Sequence, residues 1–305
     1  MKTSRIINIA MLAAVLFAGC GKSGSDRLRL FVEPMCFGGA KVHFDPAHIN
    51  DATWVENELI NLCGTSYPIV NSNGHAYLVT GGAELPSTLY AIYPATVNDG
   101  LGNDIEVVNG GAGACGVGIR SLAVNLHADG KSDVIFPMAA TATGGSQSLL
   151  FNHLTGGLKL TIANNRDQDV TVNRLVVSAT QGSGTPAIYR DLAPEWAGST
   201  QPLLPTFPAR HGATGDQDMG AGFISDMTLM MNTEGTPGVT IPRKTNGTPG
   251  RITFCIPMLA KDLRYIQIIG YNGVSPVFQT PKKDIGTPKD VERNNMYNIP
   301  TIDIL

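Results

Sequence analysis

Phe151-Asn152-His153-Leu154-Thr155-Gly156-Gly157-Leu158-Lys159-Leu160-Thr161-Ile162 is the stretch on which the fold turns. Leu158, Leu160 and Ile162 fall on alternate positions with Lys159 and Thr161 between them, the period-2 pattern of a strand with one face in a core. Asn164-Asn165-Arg166-Asp167 supplies turn formers, and Val170 to Ser178 follows as a second run rich in branched residues. The spacing predicts a hairpin.

Upstream, Thr141 to Ser148 is built from Gly, Ser, Thr, Gln and Ala without periodicity, the composition of a linker. It divides the chain into a first domain at 28–143 and a second at 144–305. Within the first, Leu28, Leu30 and Val32 alternate up to Pro34, and Ala40 to Phe44, His75 to Thr80 and Thr88 to Tyr93 read as strands. Asp104 to Val108, Ser121 to Leu126 and Asp133 to Phe136 continue the series. From Asp51 to Asn61 the signals conflict: Thr53 and Glu56 have capping-box spacing, yet Trp54, Val55, Leu59 and Ile60 only half fit a helical face.

Downstream, Phe223 to Met231, Arg251 to Ile256, Tyr265 to Tyr271 and Ser275 to Gln279 are strand-like, and the Pro/Gly-rich interval from Gly182 to Asp218 reads as long loops. Met227, Leu229 and Met231 share one face, as sheet core. At the end of the sequence Tyr297 and Ile299 fall on one parity and Ile302 and Ile304 on the other, with Pro300 at the switch, as at a bulge or on an edge strand. Short strands with frequent turn signals predict an all-β protein.

Composition agrees. Charged residues are 15% of 305, while Gly (35) and Pro (19) are abundant, which favours an extracellular, strand-rich chain. The net charge of −3 and the lack of any Lys/Arg run exclude a nucleic-acid footprint.

At the N-terminus, Lys2 and Arg5 precede an uncharged run from Ile6 to Phe17, long enough for a secretory signal and shorter than the ~20 residues of a membrane-spanning helix. Ala18-Gly19-Cys20 then resembles the bacterial lipobox, which makes 1–19 a lipoprotein signal peptide and Cys20 the lipidated first residue of the mature chain. Lipid on Cys20 would hold the protein at the outer membrane, and 20–27 would be a small, polar tether. The alternative is a plain signal peptide with an incidental Cys. Cys36, Cys63, Cys115 and Cys255 remain, a set that allows three disulfide pairings; a buried thiol is an equally natural reading of Cys255.

Several landmarks come in a set order: the lipobox, Leu89-Tyr90-Ala91-Ile92-Tyr93-Pro94-Ala95, Phe136-Pro137-Met138-Ala139, Phe151-Asn152-His153-Leu154, Ile252 to Pro257, and Arg293-Asn294 with Tyr297 and Ile299. In this order the chain resembles the fimbrillin-like lipoproteins of Bacteroides-type bacteria, the subunits of type V pili. The resemblance implies two consecutive antiparallel β-sandwich domains of transthyretin-like form and polymerisation with other pilus subunits to support adhesion. It also implies cleavage after a basic residue near the first strand, for which Arg27 and Arg29 are the candidates, and donation of a strand to a neighbouring subunit. The donor would be the C-terminal segment, with Tyr297, Ile299, Ile302 and Ile304 filling pockets. The alternative is an edge strand that stays in its own subunit.

Signs of catalysis are missing. There is no Gly-x-Ser-x-Gly elbow, no His-Glu-x-x-His and no zinc-ligand spacing among the six histidines, so neither enzyme nor metal or organic cofactor is expected. Gly111 to Gly116 matches Gly-x-Gly-x-x-Gly, but Val117 to Leu126 offers no helix on which a pyrophosphate could sit, and a Gly-rich hairpin loop is the better reading. The rival function is a monomeric surface lipoprotein that binds glycan or host protein through loops such as 193–198, where Trp196 could stack on a sugar.

Overall fold

The computed structural model describes residues 29–34, 41–44, 54, 57–72, 75–81, 85–109, 115–143, 148–189, 191–192, 195–196, 205–206, 223–293 and 295–305. Cys20, Arg27 and the tether lie outside them. Among the described residues every regular element is a strand, and the all-β sandwich-type fold expected from the sequence is present.

In chain order the strands are β1 (Arg29–Pro34), β2 (Lys41–Phe44), β3 (Leu59–Leu62), β4 (Thr65–Ser72), β5 (His75–Val79), β6 (Thr88–Tyr93), β7 (Val97–Asn98), β8 (Asp104–Asn109), β9 (Cys115–Leu126), β10 (Ser132–Ile135), β11 (Met138–Thr143) and β12 (Ser148–His153). Next come β13 (Gly156–Asn164), β14 (Val170–Val172), β15 (Arg174–Gln181), β16 (Ile188–Tyr189), β17 (Asp191–Leu192), β18 (Glu195–Trp196), β19 (Pro205–Thr206), β20 (Phe223–Ile224) and β21 (Asp226–Thr233). The chain ends with β22 (Thr236–Pro237), β23 (Val239–Ile241), β24 (Gly250–Met258), β25 (Ala260–Asn272), β26 (Ser275–Gln279), β27 (Lys283–Val291), β28 (Met296–Asn298) and β29 (Ile302–Ile304).

β1, β12, β11, β6, β3, β4 and β5 close into a hydrogen-bonded ring, which leaves these strands without a free edge. Trp54 packs inside edge-on against Tyr93 and Phe151, with centroids 5.3 and 5.2 Å away. Trp54 therefore belongs to a core; of the segment ambiguous in sequence, Leu59 onward is strand β3, and residues 51–53 and 55–56 lie outside the described residues. A large second sheet runs β2-β10-β9-β21-β15-β25-β16-β20, with β26 and β27 paired on β25. In it Leu175, Val177 and Ala179 on β15 and Met227, Leu229 and Met231 on β21 are buried, as their alternation predicts.

Within the large sheet, β9 joins strands from the earlier and later parts of the chain. Its first half lies between β8 and β17, and its second half pairs with β10 on one side and, in parallel, with β21 on the other, Ser121 to Leu126 against Thr228 to Thr233. Strands from before and after position 143 thus share one sheet, and β11 and β12, on either side of that position, are both in the ring. Thr141 and Thr143, read as linker, pair with Tyr90 and Thr88. Pairing is mostly antiparallel, but β1 with β12, β9 with β21, and β13 with β28 and β29 are parallel.

The predicted hairpin is not formed. β13 is buried along nearly its whole length on both faces, so it is an inner strand that needs a partner on each edge. One partner is β24, antiparallel from Gly156↔Met258 to Asn164↔Gly250, and the other is the C-terminal segment. β14 pairs with β23 and β15 with β21 and β25.

Candidate functional site

The C-terminal segment predicted as a donor strand lies along β13. In β28, Met296, Tyr297 and Asn298 stand opposite Gly157, Leu158 and Lys159; in β29, Ile302, Asp303 and Ile304 stand opposite Ile162, Ala163 and Asn164. Two residues of β13, Leu160 and Thr161, therefore face three of the segment, Ile299, Pro300 and Thr301. That is the two-against-one count of a β-bulge, enlarged by one on each side, and it reverses the parity of the residues beyond it. Tyr297 and Ile299 pack against the core from one side of the bulge, and Ile302 and Ile304, each 1% exposed, bury on the other. Pro300 stands where the ladder is interrupted and no donor is called for.

Beyond the ladders, further hydrogen bonds fasten the segment. Gly157 N–H donates to Asn295 O (2.8 Å), Ile299 N–H to Lys159 O (3.2 Å) and Asn165 N–H to Ile304 O (3.0 Å). The Asn165 amide donates to Asp303 Oδ1 at 3.1 Å and Arg166 Nε to Leu305 O at 2.9 Å. Burial raises the Tyr297 phenol above its usual range, and its hydroxyl lies 3.5 Å from Glu292 Oε2. Just upstream, Arg293 is buried to 1% exposure and its Nε donates to Leu154 O at 3.3 Å. Leu154, at the end of one landmark stretch, and Arg293, at the start of another, thus meet at one corner. There Gly156 is obligatory, because a Cβ on it would lie 2.2 Å from Glu292 O.

A cleft of about 120 Å³ opens beside the bulge, with Leu158, Leu263, Ile285, Val291, Ile299 and Pro300 on its walls. The arrangement offers apolar sockets and backbone hydrogen bonds, with Lys289, Tyr297 and Asn298 also on the cleft wall. Among the described residues no cluster of His, Cys, Asp or Glu is placed to hold a metal ion.

The other predicted site residues are dispersed. Arg29 opens β1 opposite Val79, and Trp196 ends β18 opposite Pro205. Cys63 and Cys255 are free thiols, which removes both from any disulfide. Cys63 is exposed in the β3–β4 turn and its Sγ accepts Tyr90 N–H at 3.3 Å. Cys255 is buried, which pushes its thiol up to about 12. His153 is buried, edge-on to Phe136 at 6.0 Å, as a packing residue at the end of β12. A cluster not foreseen from sequence is centred on His127, which lies between Asp133 and Glu234. Its members are separated by as many as 107 positions, so only the pairing of β9 with β21 could have revealed it.

No family model matches the sequence, and no curated protein matches it. Among solved structures, a Bacteroides ovatus protein assigned to cell adhesion aligns over 93% of this chain and 96% of its own, with 13% identity and a TM-score of 0.41. A Bacteroides uniformis protein of the same assignment aligns over 92% and 93%, with 14% identity and a TM-score of 0.37. A fimbrial protein of Bacteroides ovatus aligns over 90% of this chain and 49% of its own, with 12% identity and a TM-score of 0.27. Likeness at this level transfers neither fold nor role to the chain, and both rest on its own residues.

Proposed function

We propose that this chain is a non-catalytic structural subunit of a cell-surface fimbria, exported as a lipoprotein through Cys20 and assembled with other subunits by exchange of its C-terminal strand. The observation that carries this reading is the form of the segment from Met296 to Ile304: two three-residue strands in parallel pairing, interrupted at Pro300, yet presenting Tyr297, Ile299, Ile302 and Ile304 to the interior. Such a segment brings its own apolar anchors to the edge on which it pairs. Transferred to a second copy, it would satisfy the same unpaired edge and fill the same sockets.

A covalent lock tests this without deleting core residues. Ala163 and Asp303 are register partners, so Ala163→Cys with Asp303→Cys, in a Cys63→Ser background, ties β29 to β13 when oxidised. Oxidised protein is expected to remain monomeric and reduced protein to form SDS-resistant polymers. Equal polymerisation in both states overturns strand exchange. N-terminal analysis of protein from the native surface then tells lipid retained on Cys20 from cleavage after Arg27 or Arg29.

A further inference from the structure

His127 sits in the turn after β9, with both ring nitrogens against carboxylates. Nε2 is 2.8 Å from Asp133 Oδ2 on β10, and Nδ1 is 3.0 Å from Glu234 Oε2 in the turn after β21. The ring is 19% exposed. An ionised carboxylate only accepts hydrogen bonds, and a neutral imidazole has one N–H, so it can serve one of these partners while its lone pair opposes the other. Only the imidazolium donates to both. The Asn125 amide also approaches Nε2, at 3.4 Å, too far to displace Asp133.

The place of the cluster gives it consequence. β9 and β21 form the parallel seam across the large sheet, and the turn after β21 is fastened to the end of β9 through this histidine and the groups beside it. Glu234 Oε1 accepts Ala128 N–H at 2.8 Å, Glu234 N–H donates to Leu126 O at 3.0 Å, and Gly235 N–H donates to Asn125 Oδ1 at 2.7 Å. Other charged or titratable groups nearby are Asp129, paired with Lys131 at 3.3 Å in the same turn, and His43, opposite Asp133 in the register of β2.

We infer that His127 is a proton-operated latch across the seam between β9 and β21, closed when the imidazole is charged and opened when it loses its proton. Burial alone would lower the histidine, but its hydrogen bonds to Asp133 and Glu234 more than offset this and it titrates above its ordinary value. Glu234 is held below the usual carboxylate range, first by Ala128 N–H and then by His127. The histidine's contribution is complete below its unfolded value and lost as pH rises through the folded one; that of Glu234 is lost as pH falls through its own depressed value. The latch is closed between those two folded values.

Hydrogen exchange of the Ala128 amide, expressed as a protection factor, reads the latch directly. From about pH 5.5 to about pH 8.5, protection in the natural chain is expected to fall several-fold as the charge-assisted hydrogen bonds of His127 are lost. In His127→Gln it should stay constant, because the amide does not titrate, while His43→Gln should keep the fall. Constant protection in the natural chain, or an undiminished fall in His127→Gln, overturns the proposal. Should His127→Gln fail to fold, Glu234→Gln serves: the His127 midpoint, followed by NMR, is expected to drop, and an unchanged midpoint overturns the latch.

Discussion

At the scale of single residues, what each one touches decides what it tolerates. Gly156 and Gly182 look alike in sequence, but a Cβ on Gly156 would strike Glu292 O at 2.2 Å, whereas one on Gly182 would meet only Arg264 Cγ at 3.9 Å. Gly156→Ala is expected to cost about 1–3 kcal/mol or more and Gly182→Ala less than about 0.5 kcal/mol, both measurable by urea denaturation. The two free thiols separate as sharply. At about pH 8 Cys63 should react with a thiol reagent in the folded chain, and Cys255, with its thiol near 12, only after unfolding. The buried nature of Cys255 could be read from the apolar run around it. Gly156 could not be understood that way, because the atom that forbids a side chain there belongs to residue 292.

At the scale of elements, the parity change at Pro300 was legible from four side chains and a proline, since Tyr297 and Ile299 cannot share a face with Ile302 and Ile304 in an unbroken strand. Deleting Pro300 would leave Tyr297, Ile299, Ile302 and Ile304 at even spacing, all facing the core from an unbulged strand, whereas deleting Pro300 and Thr301 together would turn Ile302 and Ile304 outward. For the double deletion the expected loss is about 1.5–3 kcal/mol for each of the two side chains, seen as a lowered denaturation midpoint, and the single deletion should lower the midpoint less. Partners were less legible than strands. Leu158, Leu160 and Ile162 announce β13, but nothing local says that its neighbours come from Gly250–Met258 and from Met296–Ile304 rather than from the nearest run, Val170 to Ser178. Alternation specifies a face; long-range burial of both faces specifies the partner. The candidate site was therefore readable as a segment and not as a place.

At the scale of the whole molecule, strand content and turn density were sufficient for the all-β class, while the sharing of one sheet across position 143 was beyond reach of composition. Six register pairs of β21 on β9 join strands that lie more than a hundred positions apart. Leu229, buried on β21 opposite Leu122, lies in this seam. Leu229→Ala is expected to cost about 2–5 kcal/mol and, because the sheet is continuous, to lower the melting of probes on both sides of position 143 together. Separate transitions, with only the later part shifted, would show that the seam does not couple them.

The parallel pairings at the two ends have a mechanical consequence. β1 lies parallel to β12, β12 leads directly into β13, and β13 lies parallel to β29. Tension applied between the first strand and the last therefore runs through this short path and loads both pairs in shear, where the bonds of each ladder resist at once instead of opening one after another. The segment from Asn165 through Glu292 branches off the path and bears none of the pull as long as those two ladders hold.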